Sequence, residues 1–125
     1  MFHNATPILI VDAIEPCLPF WKALGFRVTT TVPNGPRLGF AMLQGGNVVL
    51  MYQTISSVAD DLKGVMVMPG GITYIDVDDL VAISTALPAE AVAIPQRTTF
   101  YGSHEIFAWE PGGNLIGFAQ HSEEV

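Results

Sequence analysis

The sequence predicts an α+β fold of two tandem βαβββ modules. Three observations carry that reading. Gly45-Gly46-Asn47-Val48-Val49-Leu50-Met51-Tyr52-Gln53 is echoed by Gly112-Gly113-Asn114-Leu115-Ile116-Gly117-Phe118-Ala119-Gln120, at a constant spacing of 67 residues. Ile10-Val11-Asp12 is echoed by Asp76-Val77-Asp78, with Val11 and Val77 separated by 66. In each half the apolar segments read strand, helix, strand, strand, strand. The modules cover about 1–55 and 72–125, joined by a linker of about 56–71, within one domain spanning 1–125. Repeated units commonly build one site between them.

The elements follow in order. Thr6 to Val11 is a buried strand, and Pro7 confines it to a sheet edge or to its first residues. Glu15-Pro16 opens a helix, with proline in the first turn and an acid at the positive end of the dipole. Cys17, Trp21 and Leu24 fall on one stripe of it, Gly25 caps it, and Phe26 packs back behind. Phe26 to Val32 is a strand, Pro33-Asn34-Gly35-Pro36 a turn, and Arg37 to Leu43 the next strand. Gly45-Gly46-Asn47 turns tightly into Val48 to Gln53. In the linker, 57–63 is a candidate short helix, and Pro69-Gly70-Gly71 ends it.

The second copy starts with a strand from Ile72 to Val77. Asp78 or Asp79 caps a helix running to about Leu87, where Pro88 stops it. Ala91 to Thr99 contains Pro95 and belongs at an edge. His104 to Trp109 and Leu115 to His121 are the last strands, joined by Glu110-Pro111-Gly112-Gly113-Asn114. His121 and the tail Ser122-Glu123-Glu124-Val125 read as a frayed terminus.

Composition narrows the function. Half the residues are hydrophobic (50%), which excludes a disordered chain. No apolar run reaches the roughly 20 residues of a membrane helix, and the first residues, Met1-Phe2-His3-Asn4-Ala5, carry no secretory pattern. The net charge of −7 disfavours nucleic acid and favours a cationic ligand weakly. The single cysteine, Cys17, fits a reducing cytoplasm and reads as a core thiol, because no histidine or basic cluster stands near it in sequence.

Ile14-Glu15-Pro16-Cys17-Leu18-Pro19-Phe20-Trp21 with Leu24-Gly25-Phe26 resembles the helix signature of the vicinal oxygen chelate superfamily, which includes glyoxalase I, extradiol dioxygenases and the fosfomycin- and bleomycin-resistance proteins. Tyr101-Gly102-Ser103-His104-Glu105 and Trp109-Glu110-Pro111-Gly112-Gly113-Asn114-Leu115-Ile116 resemble its last hairpin. There the usual pattern is Asp-Pro-Asp-Gly-Asn; here Glu110 and Gly112 replace the two aspartates. The resemblance implies sheets curved into a cup with helices on the outer face. In active members a divalent metal sits in that cup, on ligands from the first and last strand of each module. Carried onto this sequence, those positions are Thr6, Leu50, Ile72 and Gly117. None supplies an imidazole, carboxylate or thiolate, whereas a catalytic site needs about three such ligands. No metal and no cofactor are therefore expected.

If those four positions face the cup, alternation brings Ile8, Ile10, Val48, Tyr52, Tyr74, Asp76, Leu115 and Ala119 with them. The face then either fills as a second core or lines an apolar cavity for a small molecule; two phenols and Asp76 favour the cavity. Gly117 leaves room where a ligand to the metal would stand. His104 and Glu105 are weak catalytic candidates, either a general base at the rim or a solvated strand end. Arg37 and Arg97 either bind an anion or are exposed, ion-paired strand residues. Trp21 reads as core, while the facing of Trp109 is open.

Two functions compete. One is a metal-free binding protein similar to the bleomycin-resistance branch, holding a small apolar or aromatic molecule in a cup sealed by a homodimer. Its expected ligand-binding residues are Thr6, Ile8, Leu50, Tyr52, Ile72, Tyr74, Asp76, Trp109 and Gly117. The other is a lyase, isomerase or dioxygenase of the glyoxalase type with a noncanonical metal site. The missing ligands favour the first.

Overall fold

The structure, a computed structural model, describes residues 1–121; the terminal residues Ser122 to Val125 lie outside the described residues. The first strand, β1, spans Ile8–Val11 and alternates strictly, with Leu9 and Val11 buried and Ile8 exposed. Two prolines then start the helical segment where first-turn amides have no partner to lose. A 3₁₀ turn over Glu15–Cys17 runs into α1, Leu18–Ala23. Cys17 and Trp21 on the expected stripe are fully buried. Gly25, at φ 94°, ends the helix. The Phe26 amide donates to the Trp21 carbonyl and the Gly25 amide to that of Lys22, the paired bonds of a Schellman cap.

Strands β2 (Arg27–Asn34), β3 (Arg37–Gly45) and β4 (Val48–Thr54) follow. They assemble with β1 in the order β1-β4-β3-β2, with β1 parallel to β4 and the other pairs antiparallel. The linker helix α2 covers Ile55–Asp61, slightly earlier than expected, because the Thr54 hydroxyl caps it by accepting from the Ser57 amide.

The second half repeats the plan. β5 is Ile72–Asp76, and α3 is Leu80–Ala86 with the Asp79 carboxylate accepting from the Val81 and Ala82 amides. β6 is Val92–Thr98, β7 is Ser103–Trp109 and β8 is Leu115–His121. Their order is β5-β8-β7-β6, with β5 parallel to β8. β6, which contains Pro95, takes the outer edge, where a missing ladder donor is harmless. His121 is the last residue of β8 and pairs with Ser103, so it is strand and not frayed end.

One core serves both sheets. Leu9, Val11, Trp21, Leu50 and Tyr52 belong to the same buried cluster as Ile75, Leu80, Ile106, Ile116 and Phe118. The turn between β7 and β8 reaches across to the first half. The Asn114 side-chain amide donates to the Ile10 carbonyl at 3.2 Å, and the Tyr52 hydroxyl donates to the buried Glu110 carboxylate while accepting from the Trp21 indole at 2.8 Å.

Candidate functional site

Strand pairing decides which side chains face away from the helices. Leu9 lies beside Tyr52 in the first sheet and Ile75 beside Phe118 in the second, so both strand pairs are related by 66 residues. The expected relation of 67 fails for β4 and β8 because the two Gly-Gly-Asn segments do different jobs. Gly46-Asn47 is the whole turn between Gly45 and Val48, whereas Glu110 to Asn114 form a longer turn between Trp109 and Leu115. A one-residue slip moves every side chain to the opposite face. Leu50 and Tyr52, expected in the cup, therefore point into the helix-covered core and are fully buried. The partner of Gly117 in the duplication is Met51.

The outward face of the first sheet carries Ile8, Ile10, Phe40, Met42, Val49 and Met51, with Gln44 and Gln53 among them in register. The outward face of the second sheet carries Tyr74, Glu105, Phe107, Gly117 and Ala119. Glu105 is the unusual group, since its surroundings leave it only 1% exposed. Tyr74 and Tyr101 hydroxyls both donate to its Oε2, the latter at 3.2 Å. Arg97 donates to Oε1 from Nε at 3.1 Å and from Nη2 at 2.8 Å. Hydrogen bonding from Tyr74 is the main cause that holds the Glu105 carboxyl below its ordinary range, with Arg97 and Tyr101 adding to it against the opposing effect of burial. The same bond is the first cause that pushes the Tyr74 phenol up to about 12.

The cluster is fixed from below. The Arg97 guanidinium lies over the Phe107 ring, 5.6 Å from its centroid, and Tyr74 lies 6.4 Å from Phe107 between centroids. The β6–β7 connection is tied by the Thr99 hydroxyl, which accepts from the Ser103 amide at 3.1 Å, and this places Tyr101 beside Glu105.

No protein-family model matches the chain, and no curated protein matches it in sequence. Solved structures match it over nearly its full length. A glyoxalase/bleomycin resistance protein/dioxygenase from Nocardioides superposes with a TM-score of 0.72 at 16% identity, covering 100% of this chain and 88% of the other. Lactoylglutathione lyase from Agrobacterium tumefaciens gives 0.74 at 16% identity over 94% and 92% of the two chains. A bleomycin-binding protein crystallised with bleomycin gives 0.67 at 18% identity over 97% and 100%. The chain has the vicinal oxygen chelate fold.

The positions that the resemblance implies for a metal become, once the strand register is corrected, Thr6, Met51, Ile72 and Gly117. A hydroxyl, a thioether, an alkyl group and a hydrogen do not fit a divalent ion that needs imidazole, carboxylate or thiolate. Among the described residues, no three of histidine, cysteine, aspartate and glutamate come together as ligands. Gly117 does not leave a void either. A Cβ there would lie 2.6 Å from Phe107 Cε2, so the phenylalanine ring already fills the space above it.

The other expected residues separate. Thr6 is half-buried, and Ile8 and Ile72 are exposed. Asp76 is exposed and pairs with His121 Nε2 at 2.9 Å. Trp109 is half-exposed and lines a groove with Pro16 and Phe20 near α1. His104 pairs in register with Gln120, whose side chain bonds the first turn of α3, so it faces the helices while Glu105 faces outward. The two catalytic candidates thus stand on opposite sides of β7. Phe107 was not singled out by the sequence; only its pairing opposite Gly117 reveals its place.

Proposed function

We propose that the protein is a metal-independent binding protein that holds a small apolar or aromatic molecule on the outward faces of its two sheets, closed over by a second copy of the chain. One observation carries the reading: the carboxylate at the centre of the outward face, Glu105, already accepts four hydrogen bonds. A carboxylate has about four acceptor positions, so Glu105 has none left with which to take a substrate proton. It fixes two phenols and a guanidinium as a preorganised wall beside apolar strands.

The need for a second copy rests on exposure. Ile72 is 65% exposed and Tyr101 59%, and Ile8 and Tyr74 are exposed as well. Exposed apolar surface of this kind supports an interface or a ligand site. The acidic chain, at −7, selects against anionic ligands.

The test is thermal melting with nickel, zinc and manganese, together with metal analysis of the purified protein and light scattering. The expected result is no melting rise with metal, no stoichiometric ion, and a dimer. A bound stoichiometric ion, or a strictly monomeric protein that shows no ligand-dependent melting across an aromatic small-molecule library, overturns the reading.

A further inference from the structure

Beyond the end of β7 a groove of about 450 Å³ runs between the start of α1 and the segment that links α3 to β6. That volume is within the range of small-molecule sites, roughly 300–1,000 Å³. Four of the residues lining it are prolines: Pro16 and Pro19 from the first half, Pro88 and Pro111 from the second. Proline fixes its own φ, so these walls lose little freedom when a ligand enters. The Trp109 side of the groove is open, with the residue 51% exposed, while Phe20 beneath is buried.

The charge of the groove has one sign. Glu90 and Glu110 line it, and no lysine, arginine or histidine does. Glu110 is 2% exposed. It accepts from the Asn114 amide at 2.6 Å and the Asn114 side chain at 3.2 Å, both on Oε1, and from the Tyr52 hydroxyl on Oε2. Its carboxylate therefore faces the core and reaches the groove only as a negative field. Trp109 together with the surface carboxylate of Glu90 is a pairing that attracts an organic cation.

We propose that this groove is a second binding site, separate from the outward sheet faces, for a flat aromatic molecule carrying a positive charge. The aromatic body lies among the prolines and against Trp109, and the cationic nitrogen faces Glu90. The site is built from both halves of the chain, so it exists only in the folded whole.

Proflavine is the probe, with naphthalene-2-sulfonate as the flat anionic comparison, and binding is read by fluorescence polarisation at low and moderate salt. The site predicts saturable proflavine binding and none of the sulfonate. Trp109→Leu and Glu90→Gln should each weaken proflavine by about fivefold, in keeping with a cation–aromatic contact and one carboxylate. Asp61→Asn, which removes an acid from a different surface hollow beside α2, should leave the affinity unchanged. Glu90 is on the surface, so its variant tests the site even if Trp109→Leu unfolds the protein. Equal weakening by Asp61→Asn, no effect of Glu90→Gln, or comparable binding of the sulfonate overturns the proposal.

Discussion

Replacing Gly117 with alanine tests whether an aromatic ring occupies a position that the family resemblance implies for a metal ligand. The added Cβ would sit 2.6, 3.0 and 3.1 Å from Phe107 Cε2, Cζ and Cδ2. Carbon atoms prefer about 3.5–4.0 Å, so the ring must retreat by about 1 Å. It retreats toward the Arg97 guanidinium and Tyr74, which are already bonded to Glu105. Overpacking of this kind costs about 1–3 kcal/mol. Phe107 is only partly buried and can yield, which sets the cost near the low end. Alanine returns about 0.5–1 kcal/mol by restricting the unfolded chain relative to glycine. The net expectation is a loss of about 1 kcal/mol, read by urea unfolding. In a Phe107→Leu background the clash disappears, and the same change should stabilise by about 0.5 kcal/mol. A double-mutant cycle then gives a coupling of about 1.5 kcal/mol. A coupling near zero would refute the claim that Phe107 fills this space.

Four further predictions concern polar groups. Tyr52→Phe removes a donor from Glu110 and an acceptor from the Trp21 indole; chemical denaturation should show a loss of about 2–3 kcal/mol, the penalty for leaving such groups unpaired. The lowered Glu105 carboxyl contributes stability that is present above the unfolded carboxylate range and lost as pH falls through the folded value. Melting on the acid side should therefore be steeper in the native protein than in Glu105→Gln, and Tyr74→Phe should remove the largest share of the difference. The raised Tyr74 phenol acts in the opposite direction, its contribution fading as pH climbs from the ordinary tyrosine range toward about 12. In a Tyr101→Phe protein, Tyr52 and Tyr74 are both held up, so phenolate absorbance should stay absent at about pH 10.5, where a free tyrosine is largely ionised. Burial is the first cause that raises the Cys17 thiol to about 12; a thiol reagent should label it only after denaturant is added, and fast labelling of the native protein would contradict the core placement.

The element order, the edge positions of β1 and β6 and the Gly25 cap were legible from prolines, glycines and apolar spacing, which act locally. The facing of β4 was not. It depended on whether two look-alike Gly-Gly-Asn segments play the same part in their hairpins, and the repeat in the sequence alone gave the wrong offset by one residue. Leu50 and Tyr52 were misplaced for that reason only. His104 and Glu105 are neighbours in the chain and so always oppose each other in a strand; choosing between them required knowing that Glu105 pairs opposite Ala119 and Arg97. The partnership of Phe107 with Gly117 is likewise a product of pairing between strands, and no single-strand pattern contains it.

The turn from Glu110 to Asn114 crosses to the first half and is sealed there by Tyr52 and the Ile10 carbonyl. The clasp thus joins a phenol and a carbonyl of the first half to a carboxylate and an amide of the second. A chain severed in the segment between Asp61 and Ile72 would yield two fragments that are each marginal in isolation and that recover structure when mixed. A change at this clasp in one half is therefore felt by both, and neither can be altered there alone without cost to the other.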